Sequence, residues 1–297
     1  MAAAKKTLRD MINSGPMVVA PGAYDCITAR LIEQAGFSAV YMTGAGTSAA
    51  HGLPDYGLLT MSEMVDNARR ITSTISVPLI SDSDTGYGNE LNAYRTVQEF
   101  ERAGVSAIHI EDQVFPKKCG HLDNKELISI EDYAAKIRAA AAAKRTADFM
   151  IIARTDARAV AGFDEAVRRV NAAAKAGADM IFLEAPQSLE EVAQVPKLVK
   201  APCLLNMVLN GKTPHIPTAD AEKMGYRVSI MPGLLLASVI GVCDKILADV
   251  KATGELQQTF ANPGGPAGTF SRFGAADWDK RRTQFRDPDD GRQQAAE

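Results

Sequence analysis

Eight short apolar runs recur along the chain, and this repetition constrains the fold more than any other feature of the sequence. The runs are Met17–Pro21, Ala39–Thr43, Val77–Asp84, Ala107–Asp112, Met150–Thr155, Met180–Glu184, Cys203–Val208 and Val228–Met231. Most of them are continuously apolar rather than alternating, which is typical of parallel strands that are covered on both faces. The chain is therefore predicted to be an α/β protein built around a parallel sheet.

Helical patterns fill the seven gaps between these runs, and an eighth pattern follows the last run. They are Asp25–Ala35, Ser62–Ser73, Glu90–Ala103, Ile130–Ala143, Phe163–Ala176, Ser188–Val199, Thr218–Met224 and Leu234–Lys251. Ser62 and Thr218 are placed where a side chain can cap the first turn of its helix. The alternation of strand and helix indicates repeated β-α units.

A glycine recurs at four predicted helix ends, each time just before an apolar strand. The copies are Ala35–Val40, Ala103–Ile108, Ala176–Ile181 and the weaker Met224–Val228. Glycine at such a position can adopt the left-handed conformation that closes a helix. The four copies precede every second strand, and this placement favours a (β/α)8 TIM barrel over a doubly wound sheet.

The barrel is predicted to form one domain, followed by an appendage. The 297 residues would suit two average domains, but α/β barrels exceed about 250 residues as single units. We assign residues 1–252, including an N-terminal helix, to the barrel. Residues 253–297 are rich in glycine, proline and charge, and we interpret them as a partly ordered C-terminal appendage.

Composition argues against several kinds of partner. Apolar residues make up 46% of the chain and charged residues 23%, as in a globular protein with a large core. The net charge of -3 argues against nucleic acid or an anionic membrane as the main partner. Neither a signal peptide nor a membrane span is predicted, and the four cysteines show no disulfide or zinc pattern. We therefore expect a protein of the reducing cytoplasm.

Polar residues collect at the predicted strand ends, where a TIM barrel carries its active site. Strands 3 to 7 end in or just before Asp82 and Asp84, Glu111, Arg154, Glu184 and Asn206, respectively. Because Asp82 and Asp84 are two positions apart, a strand points both carboxylates to the same face. With Glu111 one strand over, this pattern predicts a site for Mg²⁺ or Mn²⁺, with helix capping and ion pairing as the alternative roles.

Two further features of the strand ends suit an anionic ligand. The planar guanidinium of Arg154 can bind both oxygens of a carboxylate, or can instead pair with Glu184 or Glu111. The glycine-containing turn Thr43–Gly46 offers backbone N–H groups to a carboxylate or an oxyanion. A small organic acid is therefore the expected ligand.

The segment Pro116–His121 lies in the long connection after strand 4, where a mobile lid is expected. Its thiol, Cys119, is flanked by Lys117, Lys118 and His121, and positive neighbours lower the pKa of a thiol. We predict that Cys119 transfers a proton, the alternative being an inert buried thiol.

These segments resemble the isocitrate lyase and phosphoenolpyruvate mutase superfamily, from about Pro21 to Met231. The sequence K-K-C-G-H at Lys117–His121 and D-x-D-T-G-Y-G at Asp82–Gly88 resemble the carbon–carbon lyase branch, which includes 2-methylisocitrate lyase and 2,3-dimethylmalate lyase. The phosphonate enzymes of the superfamily have a different loop without this cysteine. The resemblance implies that Asp82 and Asp84 bind Mg²⁺, and that Asp55 and Glu111 lie in the surrounding shell.

The resemblance also implies catalytic and substrate-binding residues. Cys119 matches the general acid/base on a gating loop, and Tyr41 matches a tyrosine near the substrate hydroxyl. The implied substrate-binding residues are Thr43, Gly44, Ala45, Gly120, His121, Arg154, Glu184, Asn206, Met207 and Val208. The family has a serine at this position, and Thr43 keeps the hydroxyl group of that serine.

The implied reaction is a retro-Claisen (aldol-type) cleavage of a 2-hydroxy di- or tricarboxylate to an α-keto acid and a second carboxylate. One alternative is an oxaloacetate hydrolase that forms oxalate and acetate. Hydrolase activity in the family goes with a serine at the end of strand 8, where this chain has Pro232. A second alternative is a non-catalytic, anion-binding barrel.

The last predicted helix, Leu234–Lys251, has more apolar surface than one barrel-facing stripe needs, and this predicts packing against a partner subunit. The resemblance implies in addition that this helix is exchanged between subunits. The expected assembly is a homotetramer, a dimer of helix-swapped dimers.

Overall fold

The computed structural model describes residues 6–122, 124–255 and 264–286 of the chain. Eight parallel strands form a closed barrel in sequential order, in which the last strand pairs with the first. They are β1 Val18–Ala23, β2 Val40–Met42, β3 Leu79–Asp82, β4 Ala107–Glu111, β5 Met150–Thr155, β6 Met180–Leu183, β7 Cys203–Asn206 and β8 Val228–Met231. The predicted TIM barrel is confirmed.

Thirteen helices are present in the residues that the structure describes. They are α1 Leu8–Ser14, α2 Cys26–Gln34, α3 Gly44–Ala50, α4 Met61–Thr72, α5 Glu90–Arg102, α6 Ile130–Ala143, α7 Ala157–Ala161, α8 Phe163–Lys175, α9 Leu189–Leu198, α10 Thr218–Met224, α11 Leu234–Thr253, α12 Gly265–Ser271 and α13 Ala275–Arg286. The short helices α3 and α7 were not predicted. Glycine lowers helix propensity in α3, and five residues are too few for periodicity to reveal α7.

Two predicted helix caps need correction. Helix α4 is capped by Thr60 rather than by Ser62, because the Thr60 hydroxyl accepts a hydrogen bond from the backbone N–H of Glu63. The Glu63 carboxylate in turn accepts one from the backbone N–H of Thr60 at 2.7 Å, which completes a capping box. Thr218 is the first residue of α10, and Pro217 holds the cap position without a side-chain bond.

The predicted glycine stops are present in the structure. Gly36, Gly104, Gly177 and Gly225 have φ angles of 90°, 84°, 110° and 106°. These left-handed conformations end the preceding helices and direct the chain into the next strand. The repeated glycine segment of the sequence therefore corresponds to a repeated helix-to-strand connection at the amino end of the barrel.

The interior of the barrel is packed with side chains. Alternate residues of the strands, among them Ile80, Ile152 and Phe182, form an inner apolar cluster. Helix α1 adds Leu8 and Ile12 to this cluster and closes the amino end of the barrel. A larger outer cluster lies between the strands and the surrounding helices. The carboxyl ends of the strands remain available for a functional site.

The chain divides into two compact units, one up to Val239 and one from Ile240 onward. The first unit contains all eight strands, and the second contains most of α11 together with α12 and α13. In the described chain α11 has no buried residue, and its Ile240 and Leu247 are 52% and 67% exposed. The exchange of this helix between subunits stays a prediction. Among the described helices, none is both long and apolar enough for a membrane span.

Candidate active site

A cavity of about 130 Å³ lies at the carboxyl ends of the strands. The structure brings twelve of the predicted site residues to its walls: Tyr41, Thr43, Ala45, Asp55, Asp82, Cys119, Gly120, His121, Arg154, Glu184, Asn206 and Val208. Phe182, Pro232 and Gly233 complete the lining. Residues far apart in the chain are thus assembled by strand order, as the barrel prediction requires.

Four predicted residues lie outside the cavity lining. The backbone N–H of Gly44 donates a hydrogen bond to Asp82 Oδ2 at 3.2 Å, and Asp84, two residues after Asp82, is buried. Glu111 is buried beside Arg154, with Oε2 at 3.1 Å from Nη1. Met207 lies instead along a neighbouring apolar cavity. Its side chain packs against the outer apolar cluster.

The acidic pair at the end of β3 is held by backbone N–H groups. Asp84 N donates to Asp82 Oδ1 at 2.9 Å, and Asp84 itself has a φ of 48°. Burial opposes ionisation of Asp82, but His109 and the nearby cations lower the pKa of Asp82 to about 2. Burial raises the pKa of Asp84 to about 6. The two carboxylates therefore differ strongly in how readily they release a proton.

Lys117 lies against this acidic pair. Its buried ammonium group is 2.5 Å from Asp55 Oδ1 and 3.0 Å from Asp84 Oδ1. Lys117 was predicted to lie beside the thiol of Cys119, and its pairing with the acids was not predicted. The separation of 62 residues between Lys117 and Asp55 explains the omission, because no local pattern pairs them.

Negative charge exceeds positive charge around the cavity. The carboxylates of the described residues there are Asp55, Asp82, Asp84, Glu111, Asp156 and Glu184, and the lysine and arginine cations are Lys117, Lys125 and Arg154. Both oxygens of Glu111 are buried without a hydrogen-bond partner, and burial raises the pKa of Glu111. Such a site favours binding of an additional cation.

The carboxylates around the cavity are possible ligands of a divalent metal ion. In the part of the chain that the structure describes, no cluster of three or more His, Cys, Asp or Glu side chains is arranged to hold a metal. Mg²⁺, however, commonly binds through one or two carboxylates and completes its shell with water and ligand oxygens. Asp82 and Asp84 fit that requirement, and so does Glu111 nearby, whose oxygens accept no hydrogen bond although Oε2 forms an ion pair with Arg154.

Arg154 is a buried cation fixed by carboxylates on three sides. Its Nε and Nη2 donate to Asp156 at 3.0 and 3.2 Å. The distances from the guanidinium to Glu111 and Glu184 are 3.1 and 3.3 Å, so both ion pairs considered as alternatives form. Burial opposes its charge, but these carboxylates raise the pKa of Arg154. The guanidinium therefore stays charged and has one orientation.

A polar network beneath Arg154 was missed by the sequence analysis. Asp156 pairs with Lys125 at 2.9 Å, and its backbone N–H donates to Asp112 Oδ1 at 2.9 Å. Asp112 also accepts a hydrogen bond from Arg169 at 3.1 Å. The sequence places Asp156 at the end of strand 5, but its partners come from distant elements and could not be predicted.

The pKa prediction for Cys119 was wrong in direction. Burial, followed by the charge of Asp55, raises the pKa of the Cys119 thiol. The neighbouring cations point elsewhere: Lys117 pairs with acids, and Lys118 Nζ donates to a backbone carbonyl at 3.3 Å. His121 Nε2 lies 3.2 Å from Glu184. The thiol is therefore protonated at neutral pH, which suits a proton donor better than a nucleophile.

The far wall of the cavity is formed by His121, Glu184 and Asn206. His121 Nδ1 accepts a hydrogen bond from the backbone N–H of Lys212 at 3.1 Å, which leaves the proton of the neutral ring on Nε2. Asn206 Nδ2 donates to both oxygens of Glu184 at 3.1 and 3.2 Å. Asn206 Oδ1 is buried without a partner, so it can accept a hydrogen bond from a ligand.

Tyr41 is hydrogen-bonded to a histidine that sequence analysis did not include in the site. Its hydroxyl lies 2.8 Å from His109 Nε2. Burial and the charge of Asp82 raise the pKa of Tyr41, whereas burial lowers the pKa of His109 to about 4. Both groups are therefore neutral near pH 7. The alternation along β4 offered a signal, because it puts His109 and Glu111 on the same face.

The closed barrel, with an acid-rich cavity, a fixed arginine and a loop thiol at the carboxyl ends of its strands, defines a TIM-barrel protein with the site arrangement of an enzyme. A family model described as phosphoenolpyruvate phosphomutase matches residues 8–251. The chain belongs to the phosphoenolpyruvate mutase/isocitrate lyase superfamily.

Two relatives in this superfamily are similar to most of the chain. The 2,3-dimethylmalate lyase of Eubacterium barkeri is 46% identical over 267 residues, which cover 90% of this chain and 91% of the relative. The 2-methylisocitrate lyase of Aeropyrum pernix is 46% identical over 247 residues, covering 83% and 80%. Both relatives are lyases.

Solved structures extend the similarity to the whole barrel. An oxaloacetate acetylhydrolase in complex with 3,3-difluorooxalacetate superposes with a TM-score of 0.90 at 37% identity, covering 94% of this chain and 96% of that one. A phosphonopyruvate hydrolase in complex with oxalate and Mg²⁺ has a TM-score of 0.82 at 33% identity, covering 94% and 97%. The same fold thus serves lyases and hydrolases.

Proposed function

We propose that this protein is a carbon–carbon lyase that cleaves a 2-hydroxy di- or tricarboxylate of the 2,3-dimethylmalate or 2-methylisocitrate type. The observation that carries the proposal is that Cys119 lines the same cavity as Tyr41 and Arg154. A proton donor thereby meets a group that binds anions and a hydroxyl that can orient the substrate. The identities of the two lyases supply the substrate class.

The residues suit the two halves of such a cleavage. The substrate hydroxyl transfers its proton to a base, for which Tyr41 and a water held by a glutamate are the candidates. Its carbon becomes the carbonyl of an α-keto acid, while the carbon–carbon bond breaks. The second fragment leaves as an enediolate, whose negative charge Arg154 stabilises from its fixed position. Cys119 then donates its proton to the enediolate carbon. Tyr41, held by His109, orients the hydroxyl.

We propose Mg²⁺ as the cofactor, with Mn²⁺ as a substitute. Asp82 and Asp84 would hold the ion, and Asp55 and Glu111 would lie around it. When bound, the ion supplies positive charge that stabilises the oxyanions of substrate and product. The excess of carboxylates supports this assignment, because a polyanionic substrate would otherwise be repelled by the cavity.

An oxaloacetate hydrolase is the second candidate, and the similarity to an acetylhydrolase structure favours it. Pro232, however, follows β8 directly and lines the cavity at the position where the hydrolases of the family are expected to have a serine. A proline side chain cannot donate a hydrogen bond to the substrate or to water. The lyase reaction is therefore the better proposal.

A substrate screen tests the function. The purified protein would be incubated with Mg²⁺ and, separately, 2,3-dimethylmalate, 2-methylisocitrate, isocitrate and oxaloacetate. Pyruvate from either of the first two acids supports the lyase. Oxalate and acetate from oxaloacetate alone would replace it with the hydrolase. An absence of turnover with all four acids would favour a non-catalytic barrel.

We further propose a homotetramer built from helix-swapped dimers, in which α11 packs on a second copy of the chain. The support is the exposed apolar surface of α11, since such surface is normally covered in solution. Leu247→Glu should lower the mass measured by light scattering at micromolar concentration. Leu91→Glu, which changes a 73% exposed leucine of α5, is the matched control. A monomeric wild-type protein would contradict the proposal.

A cytoplasmic location is also proposed. The four cysteines are all free in the structure, which suits a reducing compartment. Cell fractionation with an antibody to the chain tests the location.

A further inference from the structure

We propose that Lys125 is a positioning residue that fixes the loop carrying Cys119 onto Arg154. It would thereby couple the position of the proton donor to that of the guanidinium. This inference rests on the proposed function, in which Cys119 and Arg154 act on the same substrate. Lys125 itself does not line the cavity, so its effect passes through the groups that it binds.

The ammonium group of Lys125 joins two parts of the site. It donates a hydrogen bond to the backbone carbonyl of Gly120, the residue after Cys119. It also pairs with Asp156 Oδ1 at 2.9 Å. The Lys125 side chain is 1% exposed, so both bonds lie away from water. Bonds of this kind, with one charged partner, are among the stronger ones in proteins.

Asp156 passes this constraint on to Arg154. Its two oxygens accept hydrogen bonds from Arg154 Nε and Nη2 at 3.0 and 3.2 Å. Its backbone N–H is tied to Asp112 Oδ1 at 2.9 Å. Burial opposes ionisation, but Arg154 and Lys125 lower the pKa of Asp156. The carboxylate is therefore a fixed anion with a lysine on one side and an arginine on the other.

The loop lies directly on the guanidinium. A Cβ atom built on Gly120 would collide with Arg154 Nη2 and would lie 2.7 Å from Glu184 Cγ. No side chain fits between the loop backbone and Arg154 in this arrangement. Neither partner can therefore move toward the other, and Lys125 joins the same loop to Asp156, the carboxylate that binds Arg154.

Thiol labelling measures the effect without any need for turnover. Iodoacetamide labelling of Cys119, followed by peptide mass spectrometry, reports how often the loop leaves the cavity. In Lys125→Met we expect Cys119 to be labelled about tenfold or more faster than in wild type, because two charge-assisted bonds are lost. Cys203 is 1% exposed, and its labelling reports global unfolding in the same sample.

Two further variants separate positioning from general stability. Lys125→Arg keeps the charge and should restore much of the slow labelling. Lys144→Met removes a lysine that pairs with Asp179 at 2.8 Å, away from the cavity, and should leave Cys119 labelling unchanged. If Lys125→Met does not fold, Cys119 and Cys203 are labelled together, and Lys125→Gln then carries the comparison.

Kinetics with the substrate found in the screen complete the test. Lys125→Met should lower kcat more than it raises KM, because alignment matters most in the transition state. Cys119 labelling in Lys125→Met at the wild-type rate, with Cys203 protected, would overturn the inference. Failure of the proposed function is distinct: wild type would turn over none of the acids, while the labelling difference would persist.

Discussion

Polar and charged groups at the two ends of the barrel are arranged in opposite ways. At the amino end, Asp179 accepts hydrogen bonds from Arg9, Lys144 and the backbone N–H of Ile151, each at 2.8 Å. Arg227 at the same end donates to a backbone carbonyl of α1 at 2.8 Å. These charged groups are satisfied by neighbours within the chain.

At the carboxyl end, several polar atoms of the described residues lack a partner. They include Glu111 Oε1, His109 Nδ1 and Asn206 Oδ1, none of which has a hydrogen-bond partner. An unsatisfied buried group of this kind costs about 1–3 kcal/mol. The comparison shows that the polar groups at the amino end stabilise the fold. Those at the carboxyl end lower its stability but remain able to bind a ligand.

Removing an acid from the carboxyl end of the barrel should have the largest effect on turnover. Asp84→Ala is expected to reduce turnover by about 10³-fold or more with the fold retained, since charge stabilisation by a metal contributes several kcal/mol. EDTA should abolish turnover of the wild type, and Mg²⁺ or Mn²⁺ should restore it. Steady-state kinetics and circular dichroism measure the two properties. Full activity in excess chelator would rule out the metal.

Replacing the thiol should have the next largest effect. Cys119→Ser keeps the size of the side chain but raises its pKa far above neutral, so proton donation should fail while binding survives. We expect kcat to fall by about 10²-fold with KM little changed. Near-normal kcat in this variant would mean that the thiol only packs in its loop.

The pH dependence of Cys119 provides a check on that assignment. Since burial raises its pKa, the acid form is present at neutral pH and is lost as pH rises through the raised value. Alkylation of Cys119 should therefore accelerate by about tenfold per pH unit below that value, while kcat declines above it. Substrate with Mg²⁺ should protect Cys119 but not Cys26, a half-buried thiol outside the cavity lining.

Removing an acid from the amino end should have the smallest effect on turnover. Asp179→Ala leaves Arg9 and Lys144 without their partner and should lower the free energy of unfolding by about 1–3 kcal/mol. The expected fall in Tm is about 2–4 °C for each kcal/mol. Urea denaturation and kinetics test the pair of outcomes. A loss of kcat comparable to that of Asp84→Ala would erase the distinction between the ends.

The fold was predictable because its signals are local. The continuous apolar run of each strand and the glycine after each of four helices, such as Gly104, lie within a few residues. Helix α3 was missed because Gly44 and Gly46 obscure its periodicity. The prediction that one strand carries both Asp82 and Asp84 was wrong, because β3 ends at Asp82 and Asp84 lies beyond it with a φ of 48°.

The site was predictable in membership but not in pairing. Strand ends meet at one edge, so the grouping of Asp82, Arg154 and Glu184 followed from the barrel. The direction taken by a long side chain does not follow from its neighbours in sequence. Lys117 turns toward acids rather than toward the adjacent thiol, and this reversed the predicted pKa shift of Cys119.

The residues of the cavity come from two kinds of segment, and this affects how the site can change in evolution. Asp82, Arg154 and Glu184 come from the strands and their ends, whereas Cys119 comes from the separate segment Pro116–His121. Substitutions in that one segment can exchange the proton donor and leave the barrel intact. A few codon changes in an ancestral barrel can thus alter the reaction that the same anionic intermediate undergoes.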